Sequence, residues 1–113
     1  MPKIHQKIQH HFPGAYALGS REDVPFRINV CRIEPSIDDL GDPIHHHETR
    51  VTFFCVIEGI MKIEVSGHLI EVEEGSMLEV QPHEYYRTMG AGSVGALYVV
   101  VGSHNEDDRI LVE

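Results

Sequence analysis

Apolar and polar residues alternate along much of the chain from Val24 onward, which is the pattern of half-buried β-strands. The clearest example is the segment 60–65, IMKIEV, in which apolar and charged side chains take opposite faces. The segment 68–73 repeats this alternation after a Ser-Gly pair that suits a two-residue hairpin turn. The segment 51–58 is apolar on both faces, so it predicts a buried central strand that ends at Gly59.

Further strand-like segments follow one another with turns about every eight to twelve residues. The predicted strands span residues 24–34, 51–58, 60–65, 68–73, 76–80, 85–89, 94–101 and 110–112. A series of short strands with almost no helical spacing predicts an all-β sandwich or barrel. The many β-branched residues argue against a helical domain, and the lack of crossover helices argues against a parallel α/β fold.

The first twenty residues carry a mixed pattern. Ile4, Ile8 and Phe12 follow a helical spacing, which a Pro-Gly pair would stop directly afterwards. A strand that pairs across a dimer is the alternative, and the sequence leaves both open. We therefore divide the chain into an N-terminal arm, residues 1–20, and a single β-barrel domain, residues 21–113.

The composition narrows the classes of partner. Asp and Glu number 18 against 9 Lys and Arg, which gives a net charge of -9 and disfavours a nucleic-acid partner. No apolar run approaches the roughly 20 residues of a membrane span, so no membrane partner is expected. The N-terminus lacks the apolar core of a signal peptide, and the sequence therefore indicates a cytoplasmic protein.

Histidine is the unusual residue type, with 9 in the chain and three in a row at His45, His46 and His47. On a strand, His45 and His47 project from the same face. Two adjacent imidazoles can bind one metal ion or transfer protons near neutral pH. A two-ligand site is weak, so further ligands would have to come from elsewhere in the fold. A solvated turn that happens to be rich in histidine is the alternative.

Two stretches of the chain resemble the two conserved motifs of the cupin superfamily. The first motif is carried by Gly41, His45, His46, His47 and the segment 52-TFFCVIEG-59. The second is similar to 75-GSMLEVQPHEYYR-87, and the predicted hairpin over 60–74 lies between them. The resemblance covers residues 24–102. It implies an antiparallel double-stranded β-helix, the jelly-roll or cupin barrel, with a ligand site inside and commonly a homodimer.

The resemblance also implies a set of site residues. It places His45 and His47 on two of the family's metal ligands. The positions of the family's glutamate and second-motif histidine fall on Thr52 and Tyr86. We therefore expect His83 to supply a third ligand from its loop, with Tyr86 as the catalytic group. The expected cofactor is a divalent transition metal: Fe, Ni, Mn or Zn.

The leading functional hypothesis is a metal-dependent enzyme that acts on a small organic metabolite, with oxygenase, isomerase and lyase chemistry all open. In one alternative, His45 or His47 is a base and Tyr86 the proton donor of a metal-free enzyme, similar to cupins that modify nucleotide-linked sugars. In another, the barrel only binds a small molecule, as sensor domains do. We expect a homodimer because pairing about a two-fold axis covers exposed edge strands.

Overall fold

A computed structural model describes residues 2–9 and 14–112, and the described residues form strands and no helix. The strands are β1 (Lys7–Gln9), β2 (Ala15–Leu18), β3 (Arg27–Ile33), β4 (His45–His47), β5 (Thr52–Val65), β6 (His68–Glu73), β7 (Met77–Val80), β8 (Tyr86–Gly102) and β9 (Arg109–Leu111). Every pairing between them is antiparallel. The prediction of an all-β antiparallel fold is confirmed. No helix with the length and apolarity of a membrane span occurs in the described part of the chain.

The two longest strands, β5 and β8, form the centre of the sheet. They pair over almost their full lengths, from Thr52 opposite Gly102 to Val65 opposite Tyr86. The other edge of β5 pairs with β7 along its first half and with β6 along its second half. The other edge of β8 pairs with β4 near its start and with β3 near its end. Each long strand thus holds two shorter ones, and the sheet curls around the space between them.

The prediction that a strand ends at Gly59 is wrong, because β5 continues through this residue to Val65. Gly59 adopts a φ of 77°, and the register of the β5–β8 pairing shifts between Gly59 and Met61. A Cβ at Gly59 would collide with the backbone carbonyl of Gly95 on β8. Glycine within a strand permits such a bulge and close backbone approach. Glycines in the stretch 89–95 likewise lie within β8, where the sequence predicted a break.

The first residues of the chain belong to the same sheet. β1 pairs with β2, and β2 pairs with β3, so Ile8 lies in a strand and not in a helix. β1 and β2 therefore pair with strands of their own chain. Phe12, which completed the helical spacing, lies outside the described residues. The boundary at residue 20 and the homodimer stay predictions.

The hairpin between β5 and β6 matches its prediction closely. Met61, Ile63 and Val65 are buried, with exposed fractions of 0%, 0% and 8%. The turn residues Ser66 and Gly67 have φ values of 50° and 81°, as a type I′ turn requires at both positions. This buried face forms part of the core that supports the site described below.

Gly59→Ala should destabilise the fold much more than Gly67→Ala. Both residues have positive φ, so each substitution carries a conformational cost of about 1–2 kcal/mol. Only at Gly59 does the added Cβ also meet backbone atoms, whereas the space around Gly67 is open. Urea unfolding of both variants measures the difference. Equal losses of stability would contradict the packing described at the β5–β8 bulge.

Candidate active site

A cavity of about 470 Å³ opens inside the curled sheet. Four polar side chains of its lining lie on β4, β5 and β8: His45, His47, Thr52 and Tyr86. Phe54, Tyr98 and Val100 supply apolar wall on β5 and β8. A cavity of this size lies within the range of small-molecule sites, and its wall mixes apolar side chains with polar and charged ones.

Asp108 anchors the imidazole of His47. His47 Nδ1 lies 2.7 Å from Asp108 Oδ1. The other carboxylate oxygen accepts hydrogen bonds from the backbone N–H groups of Thr49 and Arg50, both at 2.8 Å. Burial alone would raise the pKa of Asp108, but these bonds hold it well below its usual range. Asp108 is therefore ionised, so the hydrogen on this contact belongs to His47 Nδ1.

Tyr86 contacts the opposite nitrogen of the same ring. Its hydroxyl lies 3.2 Å from His47 Nε2. Because Nδ1 of His47 carries the hydrogen, Nε2 accepts and the Tyr86 hydroxyl donates. Burial lowers the pKa of His47, and burial raises the pKa of Tyr86 to about 12. At neutral pH the site thus holds a neutral imidazole next to a neutral phenol.

His45 lies on the other side of Tyr86, with the two ring centroids 4.4 Å apart. Its Nδ1 is 2.8 Å from the carbonyl oxygen of Pro43, which can only accept a hydrogen bond. Burial lowers the pKa of His45, so the ring is neutral and its Nε2 carries a lone pair. The rings of His45 and His47 are 5.6 Å apart and nearly perpendicular.

Three of the four sequence-predicted site residues come together in this cavity: His45, His47 and Tyr86. His83 lies elsewhere. Its side chain is exposed, with the ring 5.7 Å from His46, and it does not line the cavity. The backbone N–H of His83 donates a hydrogen bond to the carbonyl oxygen of His47 at 2.8 Å.

Asp108 is not among the site residues that the sequence predicted. Asp108 lies 61 residues from His47 along the chain. It reaches the site because β9, which begins one residue later, pairs with β4. No local pattern distinguishes Asp108 from its acidic neighbours, so only the pairing of these two short strands could have identified it.

The side chains at this site do not fit a divalent metal centre. Within residues 2–9 and 14–112, no group of three His, Cys, Asp or Glu side chains is close enough to hold a metal ion. His45 and His47 offer two nitrogen ligands, and the positions that would complete the family's set hold the neutral side chains Thr52 and Tyr86. Two neutral ligands without a carboxylate make a weak metal site.

Comparison with solved structures identifies the fold. An uncharacterised protein with a double-stranded β-helix domain from Klebsiella pneumoniae is 16% identical, with 100% of this chain and 90% of that chain covered and a TM-score of 0.71. A cupin protein from Bacteroides fragilis is 14% identical over 98% and 87%, with a TM-score of 0.64. The chain is thus a double-stranded β-helix protein. Its fold is that of the cupin superfamily, as the two motifs predicted.

A third similar structure has a stated activity. It is a tyrosine-to-phenylalanine variant of Pac13 from Streptomyces with uridine, 14% identical over 100% of this chain and 93% of that chain, with a TM-score of 0.73. Pac13 is described as a nucleoside dehydratase with a β-barrel structure. No protein-family model and no curated protein sequence matches the chain.

The buried histidines should make the fold less stable in mild acid. The pKa values of His45 and His47 are lowered from 6.5, so the unfolded chain binds protons more readily than the folded one. The contribution of these two histidines to stability is therefore fully present above pH 6.5 and is lost as pH falls through their lowered pKa values. Urea unfolding between pH 7.5 and pH 5 measures this loss.

The double variant His45→Gln/His47→Gln should show a smaller loss over the same pH range. His68→Gln, at an exposed hairpin position, is the matched control and should keep the wild-type dependence. An unchanged pH dependence in the double variant would contradict the neutral state assigned to these two rings.

Proposed function

We propose that this protein is a small cupin-fold enzyme that carries out metal-free acid–base chemistry on a small hydroxylated metabolite. The observation that carries the proposal is the hydrogen-bonded chain Asp108–His47–Tyr86, with contacts of 2.7 and 3.2 Å, in which the buried His47 and Tyr86 line the cavity. A base oriented by a carboxylate and placed next to a proton donor is the arrangement that general acid–base catalysis needs.

His47 is the base in this proposal. Its Nε2 carries the lone pair of the ring, which accepts the Tyr86 hydroxyl until a substrate takes its place, and the lowered pKa of His47 keeps it unprotonated at neutral pH. Asp108 fixes the tautomer and stabilises the imidazolium that forms when His47 takes a proton. Asp108 does not itself take the proton. Tyr86 is the acid, because its hydroxyl stays protonated with a pKa of about 12.

Elimination of water from a β-hydroxy carbonyl compound suits these two groups. His47 Nε2 removes the proton from the carbon beside the carbonyl, and that electron pair forms the new carbon–carbon double bond. The carbon–oxygen bond at the β carbon breaks, and Tyr86 protonates the departing hydroxide to give water. The imidazolium then returns its proton to the tyrosinate across the 3.2 Å contact, which restores both groups. The step needs no oxidant or reductant.

The cavity and the structural comparison support a sugar-like substrate. About 470 Å³ is enough for a monosaccharide or a nucleoside, within the usual range of small-molecule sites. Pac13, which shares the fold, is a nucleoside dehydratase. The hydroxyl of Thr52 and the amide of Asn29 add polar groups to the wall, as a hydroxylated ligand requires.

His47→Gln and Tyr86→Phe should each lower turnover by about 10²–10⁴-fold, because each removes one partner of the proton transfer. Activity is measured by NMR in D₂O as dehydration, or as deuterium uptake beside the carbonyl, on a panel of β-hydroxy carbonyl sugars and nucleoside aldehydes. His68→Gln should turn over at the wild-type rate. Turnover that survives in His47→Gln would contradict the assignment of the base.

Turnover should also survive removal of divalent metals by a chelator, followed by mass spectrometry to verify their absence. The control is the untreated protein purified without a histidine tag. Loss of activity that returns only with Fe, Ni, Mn or Zn would favour the metal-dependent hypothesis instead.

The pH profile of kcat/KM should rise once, through the pKa of His47 below 6.5, and then stay level to about pH 10. The rise follows from the need for a neutral imidazole, and the long plateau follows from the pKa of about 12 at Tyr86. Asp108→Asn should reduce the plateau, because the amide no longer fixes the His47 tautomer. A fall in rate between pH 7 and pH 9 would contradict Tyr86 as the acid.

A further inference from the structure

Positive charge is concentrated in the cavity of a protein that is acidic overall. Of the 9 Lys and Arg residues in the chain, four line this cavity, and all are arginines: Arg21, Arg27, Arg50 and Arg109. The acidic side chains in its lining are Asp42 and Asp107. A chain with a net charge of -9 has therefore placed nearly half of its fixed cations around one small space.

Among the described residues, three of these arginines form no ion pair with a carboxylate. Arg109 pairs with Asp42 at 3.9 Å. Among the ion pairs of the described residues, none involves Arg21, Arg27 or Arg50, which we call the arginine cluster. Arg27 and Arg50 lie close to each other, since a Cβ at Gly102 would be 2.8 Å from Arg50 Cδ and 3.2 Å from Arg27 Cβ. Burial, together with the charges of Arg21 and Arg50, lowers the pKa of Arg27.

Arg50 links this cluster to the acid–base pair. Its backbone N–H donates to Asp108 at 2.8 Å, and its guanidinium Nη2 donates to the carbonyl oxygen of Glu106 at 2.6 Å. Its Nε is buried and has no hydrogen-bond partner in the part of the chain that the structure describes. A buried donor left without an acceptor is destabilising, and a ligand oxygen would relieve that cost.

We propose that the cavity binds an anionic substrate whose carboxylate or phosphate group is held by Arg21, Arg27 and Arg50. Guanidinium groups recognise both anions through paired N–H···O bonds. Because Arg50, His47 and Tyr86 line the same cavity, the anionic group would be bound in the space that the acid–base pair faces. This inference rests on the proposed function and narrows its substrate to sugar acids, sugar phosphates or nucleotides.

The test titrates the tagless full chain with sodium acetate and with inorganic phosphate at constant ionic strength. The signals followed by NMR are the arginine Nε–H resonances. The wild type should show saturable shifts in the millimolar range for at least one anion. The anion that binds more tightly tells whether the group is a carboxylate or a phosphate. Absence of saturable shifts with both anions would overturn the proposal.

Two variants and one control identify the residues that bind the anion. Arg27→Gln and Arg50→Gln should each weaken binding by about tenfold or more, because each removes a charged hydrogen-bond donor. Arg32→Gln, an exposed arginine outside this cavity, should bind like the wild type. Arg27 takes less part in hydrogen bonding than Arg50. The Arg27→Gln variant therefore provides the test if Arg50→Gln does not fold. Equal affinity in Arg27→Gln and the wild type would overturn the proposal.

A second titration separates this inference from the proposed chemistry. Uridine 5′-monophosphate is compared with uridine, and glucuronate with glucose, in the wild type and in His47→Gln. Anion recognition predicts that the charged member of at least one pair binds about tenfold more tightly in both proteins. If His47→Gln keeps this preference while the wild type shows no turnover, the acid–base proposal fails and the anion site stands. Equal affinity within both pairs overturns the anion site.

Discussion

The antiparallel pairing of β5 with β8 constrains everything else in the molecule. Both strands are long enough to bend, and the bend is possible because Gly59 lets the two backbones approach at the bulge. With their outer edges taken by shorter strands, the paired strands form a curved wall with one buried face. Phe54 and Tyr98 belong both to the packed core and to the wall of the cavity. The same pairing therefore produces the hydrophobic core and the space for a ligand.

The acid–base site is assembled from segments distant in the sequence. His47 comes from β4, Tyr86 from the start of β8, and Asp108 from the residue before β9. His47 and Tyr86 are buried and Asp108 is partly buried, and each side chain satisfies part of the hydrogen-bonding capacity of the next. In such a low-dielectric position, proton affinities are set mainly by burial and by the local partner. A neutral base and a neutral acid thus coexist at one wall, and the nearby arginines add a fixed positive field.

Much of the fold could be predicted from the sequence, because it depends on local alternation and on turn residues. The hairpin around Ser66 and Gly67 is an example in which pattern, turn chemistry and burial agree. The pattern failed at Gly59, since glycine reads as a break whether it ends a strand or permits a bulge within one. In the site, the position of His45 and His47 on the same face followed from strand geometry. Asp108 could not be predicted, because its role depends on a long-range strand pairing.

The pairing of β4 with β9, which brings Asp108 next to His47, is also among the shortest in the fold. β4 and β9 contribute three residues each, and β4 meets β8 at a single pair, His45 opposite Tyr86. Regions held by few contacts open at a lower free energy than the whole molecule does. Opening β9 would withdraw Asp108 from His47 and let the imidazole change tautomer, while the β5–β8 core stayed folded. Under the proposed function, catalytic competence would be lost on warming at a lower temperature than that at which the barrel melts, so inactivation and global melting would be separate events.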